Sequence, residues 1–352
     1  MRLNLLGLSS IFVALSTASH AEEHVSKEQA SIERLTAETV KVSYAGEQPI
    51  KLWISDDTTL DKSDQRLEAN FENGAAIIDL PSDKRAYVII RSRSKDLIIV
   101  GERVLPLRQA SNFRDIGGYT TTDGKSVKWG RVYRSGAMPL LTDDDYVYID
   151  DLHIDSIVDF RSLEEREVTP NMVDNRTGAL FLANDYSIAP LMKGFREGDG
   201  ENNYARMERH LRPQYRAVFR RILADDGAVL YHCSAGQDRT GVATTLLYDV
   251  LGVDRETIVK DYHLSTTLRK TEWEMPDVST KDYPGNMIVE IYAAARKAGE
   301  GPKPLYTPSG VSHIVQFLDY LDAEFDGAEG YLKTALDLSD DDIERLRLLM
   351  LE

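Results

Sequence analysis

Cysteine is almost absent from this sequence: Cys233 is the single one among 352 residues. No disulfide can form within the chain, so a small fold held together by disulfides is excluded. The hydrophobic content of 42% is instead sufficient for a substantial core and for about two domains. A lone thiol is open to oxidation, which favours a chemical role for Cys233 over a packing role.

Long apolar runs are also missing, apart from one at the amino terminus. Arg2 precedes an apolar stretch at residues 5–15, which is too short to span a membrane. Ser19 and Ala21 supply the small residues at the third and first positions before a cut. This pattern predicts a bacterial signal peptide over residues 1–21 and a periplasmic or secreted protein with no membrane span. A core helix is the alternative, but the charged Glu22 follows at once.

Positive charge is scarce: 42 lysines and arginines stand against 58 acidic residues, a formal net charge of −16. Such a field repels nucleic acid and anionic membranes, so we expect no nucleic-acid partner. An anionic substrate would have to be captured by local cations. Arg209, Arg212, Arg216 and Arg220 form one stripe on a predicted helix. A solvated helix face is the simpler interpretation of this stripe, and attraction of phosphorylated substrates is the alternative.

Residues 30–108 have the pattern of short strands. Apolar and polar residues alternate, as in Thr39-Val40-Lys41-Val42-Ser43. Turn residues separate these runs at short intervals, which predicts a small all-β domain, a sandwich of immunoglobulin or fibronectin III type. No catalytic or ligand-binding motif is recognisable in this domain. We expect a passive stabilising domain, with a partner-binding module as the alternative.

Residues 109–352 alternate between strands and helices, which predicts an α/β domain with a mainly parallel sheet flanked by helices. Ligands bind at the carboxyl ends of such strands. Asp159 and Arg161 should lie at that edge, because they end a predicted strand. Residues 189–206 are glycine-rich and charged and predict a mobile flap. Residues 271–308 look irregular and could form a lid.

The chemistry is concentrated at residues 231–241, between a predicted strand and a predicted helix that Gly252 ends. A loop at a helix N-terminus offers free backbone N–H groups and the positive end of the helix dipole to an anion. The same field favours the thiolate of Cys233. Arg239, six positions on, can donate two parallel N–H bonds to phosphate. Further phosphate-binding residues are expected at Ser234, Ala235, Gly236, Gln237, Gly241 and Arg161.

The loop matches the His-Cys-x5-Arg signature of protein tyrosine phosphatases. Over roughly residues 111–268 the chain resembles the atypical bacterial tyrosine/serine phosphatases, a family with secreted mycobacterial members. The supporting blocks are Asn112-Phe113-Arg114-Asp115-Ile116-Gly117-Gly118, Gly130-Arg131-Val132-Tyr133-Arg134-Ser135-Gly136, Val158-Asp159-Phe160-Arg161-Ser162, and the loop followed by Asp261-Tyr262.

This resemblance implies a phosphatase-like α/β fold and a two-step reaction without a metal or other cofactor. Cys233 would attack phosphorus and form a phosphocysteine, while Arg239 and the loop amides hold the equatorial oxygens. Thr240 would hydrogen-bond the sulfur and ease its departure. His232 would orient the loop rather than transfer protons.

For the general acid the resemblance favours Asp238. Asp159 is the second candidate and an acid on the flap, such as Asp199, is the third. The tyrosine phosphatases that use a Trp-Pro-Asp loop carry it upstream of the cysteine, whereas the Trp273-Glu274-Met275-Pro276-Asp277 run lies downstream. We interpret that run as coincidental.

Gln237 bears on the substrate. Family members active on phosphoinositides usually have lysine at this position, and losing its charge weakens capture of a multiply phosphorylated head group. We therefore expect a phosphorylated protein or small phosphomonoester as substrate, phosphotyrosine first, with phosphoserine and phosphothreonine as further candidates. A phosphoinositide or inositol polyphosphate phosphatase is the alternative. A catalytically silent phosphoprotein-binding module is the alternative from another class.

Overall fold

The computed structural model describes residues 30–46, 51–93, 96–192, 203–299 and 301–352. The predicted signal peptide lies outside these ranges. So does most of the predicted flap, including Lys193, Arg196, Gly198, Asp199 and Gly200. Both stay predictions.

Two antiparallel sheets form the amino-terminal part of the protein. The strands are β1 (Ala30–Arg34), β2 (Thr39–Tyr44), β3 (Lys51–Ser55), β4 (Gln65–Leu67), β5 (Ala75–Asp79), β6 (Tyr87–Arg91) and β7 (Leu97–Gly101). Their orders are β1-β2-β5 and β4-β3-β6-β7. Val42 of β2 and Val88 of β6 belong to one hydrophobic cluster, so the two sheets pack face to face. Residues 30–101 are therefore all-β, while the immunoglobulin or fibronectin III type stays a prediction.

A mixed five-stranded sheet forms the centre of the second part. Its strands are β8 (Arg114–Asp115), β9 (Val132–Ser135), β10 (Ile154–Asp159), β11 (Leu180–Ala183) and β12 (Ala228–His232), in the order β11-β10-β12-β9-β8. The pairs among β9, β12, β10 and β11 are parallel, and β8 is antiparallel to β9. This confirms the predicted mainly parallel sheet. Every residue of the central strand β12 is buried.

Helices cover both faces of this sheet. They are α1 (Asp143–Asp150), α2 (Leu163–Val168), α3 (Val173–Thr177), α4 (Asn203–Ala224), α5 (Asp238–Leu251), α6 (Arg255–Leu268), α7 (Thr271–Glu274), α8 (Met287–Ala298), α9 (His313–Phe325), α10 (Gly327–Thr334) and α11 (Asp340–Met350). Tyr231 of β12 belongs to the hydrophobic cluster that holds Phe219 of α4, whereas its neighbour Leu230 belongs to the cluster that holds Ile149 of α1. Successive strand residues point to opposite faces. Within the described ranges, no helix is long and apolar enough to cross a membrane.

The arginine stripe on α4 is exposed at Arg209, Arg216 and Arg220, as expected for a solvated helix face. Arg216 also donates to the carbonyl oxygen of Leu336 (2.7 Å) and Arg220 to that of Asp337 (2.6 Å), so these two side chains also bind the chain just after α10. The prediction that residues 271–308 are irregular is wrong for α8, because Asn286 accepts hydrogen bonds from the first amides of that helix.

The two parts share a buried polar interface. Arg85, just before β6, pairs with Asp115 of β8 at 2.7 Å, and both side chains are buried. The indole N–H of Trp129 donates to the carbonyl oxygen of Ile99 in β7 at 3.0 Å. The amino-terminal sheets therefore contact the sheet that carries the cysteine loop.

Candidate active site

The cysteine loop, residues 233–239, connects the end of β12 to the start of α5. Cys233 is buried and follows β12 directly. Gly236 has a φ of 65°, and a Cβ there would lie 2.5 Å from the carbonyl oxygen of Ser135. The turn therefore requires glycine at this position.

Donors from outside the loop orient its peptide groups. Asn112 Nδ2 donates to the carbonyl oxygens of Ala235 (3.1 Å) and Gly236 (2.8 Å), and Arg134 Nη2 donates to Gly236 as well (2.8 Å). In a planar trans peptide the next N–H points away from the carbonyl. The amides of Gly236 and Gln237 are therefore turned to the inside of the loop, where they can bind an anion.

A buried ionic network supports this arrangement. Arg114 and Arg134 both contact the carboxylate of Asp261, at 3.2 and 3.0 Å, and Arg114 also donates to Asn112. Burial would raise the pKa of Asp261, but the two guanidinium groups outweigh burial and lower it. Two cations against one carboxylate leave net positive charge behind the loop, which favours an anion inside it.

Arg239 is held in one orientation by Glu165. Nη2 and Nη1 donate to the two carboxylate oxygens at 2.6 and 2.7 Å, and Nη1 also donates to the hydroxyl of Tyr186 at 2.9 Å. Burial would raise the pKa of Glu165, but the charge and hydrogen bonds of Arg239, with a hydrogen bond from Ser234, lower it to about 2. Among the described residues no hydrogen bond engages Nε of Arg239. That edge of the guanidinium stays available for phosphate oxygens.

Asp238 and Thr240 stand in the first turn of α5. Asp238 is half-buried, and Oδ1 accepts a hydrogen bond from the hydroxyl of Tyr204 at 2.7 Å. Thr240 is fully buried, and its Oγ1 has no hydrogen-bond partner within the described part of the chain. Because an unpartnered buried hydroxyl is unfavourable, it is suited to donate to a group that becomes charged beside it.

The comparison with known proteins agrees with this geometry. A sequence profile of the tyrosine phosphatase family matches residues 105–352. The chain belongs to this family. It is 30% identical over 225 residues to a tyrosine-protein phosphatase of Nostoc commune, covering 61% of this chain and 72% of that protein. It is 30% identical over 193 residues to the triple specificity protein phosphatase PtpB of Mycobacterium tuberculosis, covering 45% and 68%.

The predicted resemblance is thus confirmed, and the protein is a phosphatase. The matched residues begin at 105, so β1 to β7 lie outside the family profile.

The structure does not support two of the predicted site residues of this phosphatase. Asp159 is buried and accepts hydrogen bonds from Arg161 at 2.7 and 2.9 Å. Burial would raise the pKa of Asp159, but the charge and hydrogen bonds of Arg161 lower it, so Asp159 carries no proton to donate at neutral pH. Arg161 also donates to the carbonyl and hydroxyl oxygens of Thr169, which leaves it no free edge for phosphate. His232 is neutral, because burial lowers its pKa to about 4.

Two further predicted phosphate-binding residues have other contacts. The side chain of Gln237 accepts a hydrogen bond from Arg269 at 2.8 Å, so only its backbone amide can serve the loop. Gly241 donates its amide to the carbonyl of Gln237 as part of α5 at 2.9 Å. We therefore do not count Gly241 among the phosphate donors.

A cavity of about 610 Å³ opens beside the loop at Gln237 and Asp238. Ile291 and Tyr292 of α8 and Leu305 form part of its apolar wall. Arg269, Arg296 and Lys303 also line it. Glu272 lies on the lining as well, so the wall is apolar in part and carries charges of both signs. An aromatic ring can lie beside Asp238 against the apolar part.

Sequence reasoning missed Glu165 and Asp261 as site residues. Glu165 stands three residues after Ser162, a spacing that indicates a capping box at the start of α2 but no role at the site. That box is present, and Ser162 donates its amide to the Glu165 carboxylate at 2.7 Å. Asp261 was part of a matching block without an assigned role. Both acids pair with arginines that are far away in the sequence, so the sequence alone does not reveal these contacts.

Proposed function

We propose that this phosphatase hydrolyses phosphomonoesters through a phosphocysteine. In the first step the Cys233 thiolate attacks phosphorus, the bond from phosphorus to the leaving oxygen breaks, and Asp238 gives that oxygen its proton. In the second step water attacks phosphorus and gives its proton to Asp238. The sulfur–phosphorus bond breaks, its electron pair returns to sulfur, and inorganic phosphate leaves.

The main support for this proposal is the set of hydrogen bonds that orients Arg239 and the cysteine loop. Glu165 fixes the guanidinium plane, and Asn112 and Arg134 turn the loop amides inward around Cys233. Preorganised donors of this kind stabilise charge on the transferring phosphoryl group without rearranging during the reaction. Thr240 would donate to the departing sulfur in the second step, and its buried hydroxyl, which has no hydrogen-bond partner among the described residues, supports this role.

The proposed substrate is a phosphorylated protein, with phosphotyrosine preferred and phosphoserine and phosphothreonine as further candidates. The cavity beside Asp238 supports this preference, because its apolar wall suits an aromatic leaving group. Gln237 adds no charge for a second phosphate, and its side chain is engaged with Arg269. One relative is named a triple specificity protein phosphatase, which makes a panel of substrates the appropriate test.

Phosphate release from a phosphotyrosine peptide, a phosphoserine peptide, a phosphoinositide and phytate tests the proposal. We expect the phosphotyrosine peptide to give the highest kcat/KM and EDTA to leave every rate unchanged. Faster release from the phosphoinositide or phytate would support the alternative substrate classes. Binding of the phosphotyrosine peptide without turnover of any substrate would support the silent binding module instead.

We also propose that the protein is exported and that residues 30–108 are a stabilising domain beside a catalytic domain at 109–352. The apolar stretch before Ala21 supports export, and the buried Arg85–Asp115 pair supports the stabilising role. In a bacterial host we expect the mature chain to begin at Glu22 in the periplasm or medium. Cytoplasmic protein that keeps Met1 would contradict export.

A further inference from the structure

Two buried tyrosine hydroxyls lie in line with the Asp238 carboxyl. The Tyr204 hydroxyl is 2.7 Å from Oδ1 of Asp238 and 2.6 Å from the Tyr262 hydroxyl. Both tyrosines are buried. From this geometry we propose that Tyr204, supported by Tyr262, is a positioning residue that aims the Asp238 proton at the leaving oxygen. This inference rests on the proposed function, in which Asp238 is the general acid.

Counting protons fixes the direction of the chain of hydrogen bonds. Burial and the charge of Asp238 raise the pKa of Tyr204, and burial also raises that of Tyr262, so both are neutral phenols with one proton each. Since Tyr204 donates its proton to Asp238, Tyr262 must donate to Tyr204. The Tyr262 bond therefore strengthens the bond to Asp238, because hydrogen bonds in a chain polarise one another.

The same contact selects the oxygen that carries the catalytic proton. Oδ1 of Asp238 is taken by Tyr204, and within the described residues no hydrogen bond reaches Oδ2. Oδ2 is therefore the oxygen that bears the proton in the first step and receives it from water in the second. The carboxyl group cannot turn about its bond without losing the Tyr204 contact.

Packing holds both rings in place. Tyr204 stacks on His313 with ring centroids 5.5 Å apart, and it meets Tyr262 edge to face at 6.3 Å. A Cβ on Gly241 would lie 2.9 Å from Cδ2 of Tyr262. Glycine at this position lets the Tyr262 ring approach α5 and brings its hydroxyl to Tyr204. Gly241 thus serves the general acid rather than the phosphate.

The test compares two leaving groups. p-Nitrophenol leaves readily without a proton, whereas phenol needs the general acid. We expect Tyr204→Phe to lower kcat/KM, which reports only the steps up to cleavage of the leaving-group bond, about tenfold on phenyl phosphate, part of the effect of about 100-fold or more that a general acid supplies. The same variant should change kcat/KM on p-nitrophenyl phosphate less than twofold, and Tyr262→Phe should show a smaller loss with the same selectivity. An equal loss on both substrates would overturn the proposal and indicate a structural role for Tyr204.

Tyr331→Phe is the matched control. It removes another buried tyrosine hydroxyl bonded to a carboxylate, that of Glu208 at 2.7 Å, and should leave the ratio of the two rates unchanged. Asp238→Asn tests the assignment of the general acid separately from the positioning role of Tyr204. If it changes the ratio but Tyr204→Phe does not, the positioning role alone is wrong. If Asp238→Asn leaves the ratio unchanged, the assignment of the general acid is wrong and the positioning role falls with it.

Discussion

Replacing Cys233 by serine is expected to lower kcat by at least about 1,000-fold, or about 4 kcal/mol in the barrier. A serine hydroxyl is not ionised at neutral pH, so it cannot supply the electron pair that attacks phosphorus. Asn112 and Arg134 hold the loop carbonyls through hydrogen bonds in which the sulfur takes no part. We therefore expect the serine variant to keep the loop conformation and to bind the phosphotyrosine peptide.

Phosphate release and calorimetric peptide binding, measured on the same preparation, check this result. Because Cys233 is the single cysteine, alkylation by iodoacetate should incorporate one label per chain, inactivate in proportion, and be slowed by inorganic phosphate. A serine variant within tenfold of wild-type kcat would rule out Cys233 as the nucleophile.

Arg239→Lys is expected to lower kcat/KM by about 100-fold to 1,000-fold, the effect of losing a donor that stabilises developing charge. Lysine keeps the positive charge but has no planar fork. It cannot bond both oxygens of Glu165 and present a second edge to phosphate. Stability should fall as well, because Glu165 is buried and would lose part of its pairing.

Arg212→Lys is the control for the loss of stability. Arg212 also pairs through two bonds with a buried carboxylate, Glu208 at 2.9 Å, but it belongs to α4 and not to the cysteine loop. Thermal unfolding and steady-state kinetics of both variants separate the effects. Equal kcat/KM losses in the two variants would contradict a specific role for the Arg239 fork.

Local sequence signals predicted the local structure well. Thr142, Ser162 and Ser339 are each followed three residues later by an acidic residue, a spacing that indicates a capping box, and each forms one. The alternation in β2 and the apolar run of β12 also gave the correct strands. These features depend on neighbours within a few residues, which the sequence displays directly.

The features that the sequence did not predict depend on contacts between segments that are far apart in the chain. Glu165 meets Arg239 across 74 positions, and Asn112 meets Gly236 across 124. Asp159 and Arg161 lie at the predicted sheet edge but turn to each other instead of to a ligand. Gln237 similarly turns toward Arg269. The sequence therefore predicted which segment holds the chemistry, but not which of its charged side chains are already paired.

Trapping the phosphoenzyme tests the central claim most directly. Wild-type protein is mixed with p-nitrophenyl phosphate, quenched within the first turnover, and digested for mass spectrometry. The account predicts one phosphoryl group per chain, on the peptide that contains Cys233, forming with the release of p-nitrophenol and decaying as inorganic phosphate is released. Phosphate release during the first turnover with no phosphorylated Cys233, or with the phosphoryl group on another residue, would contradict it.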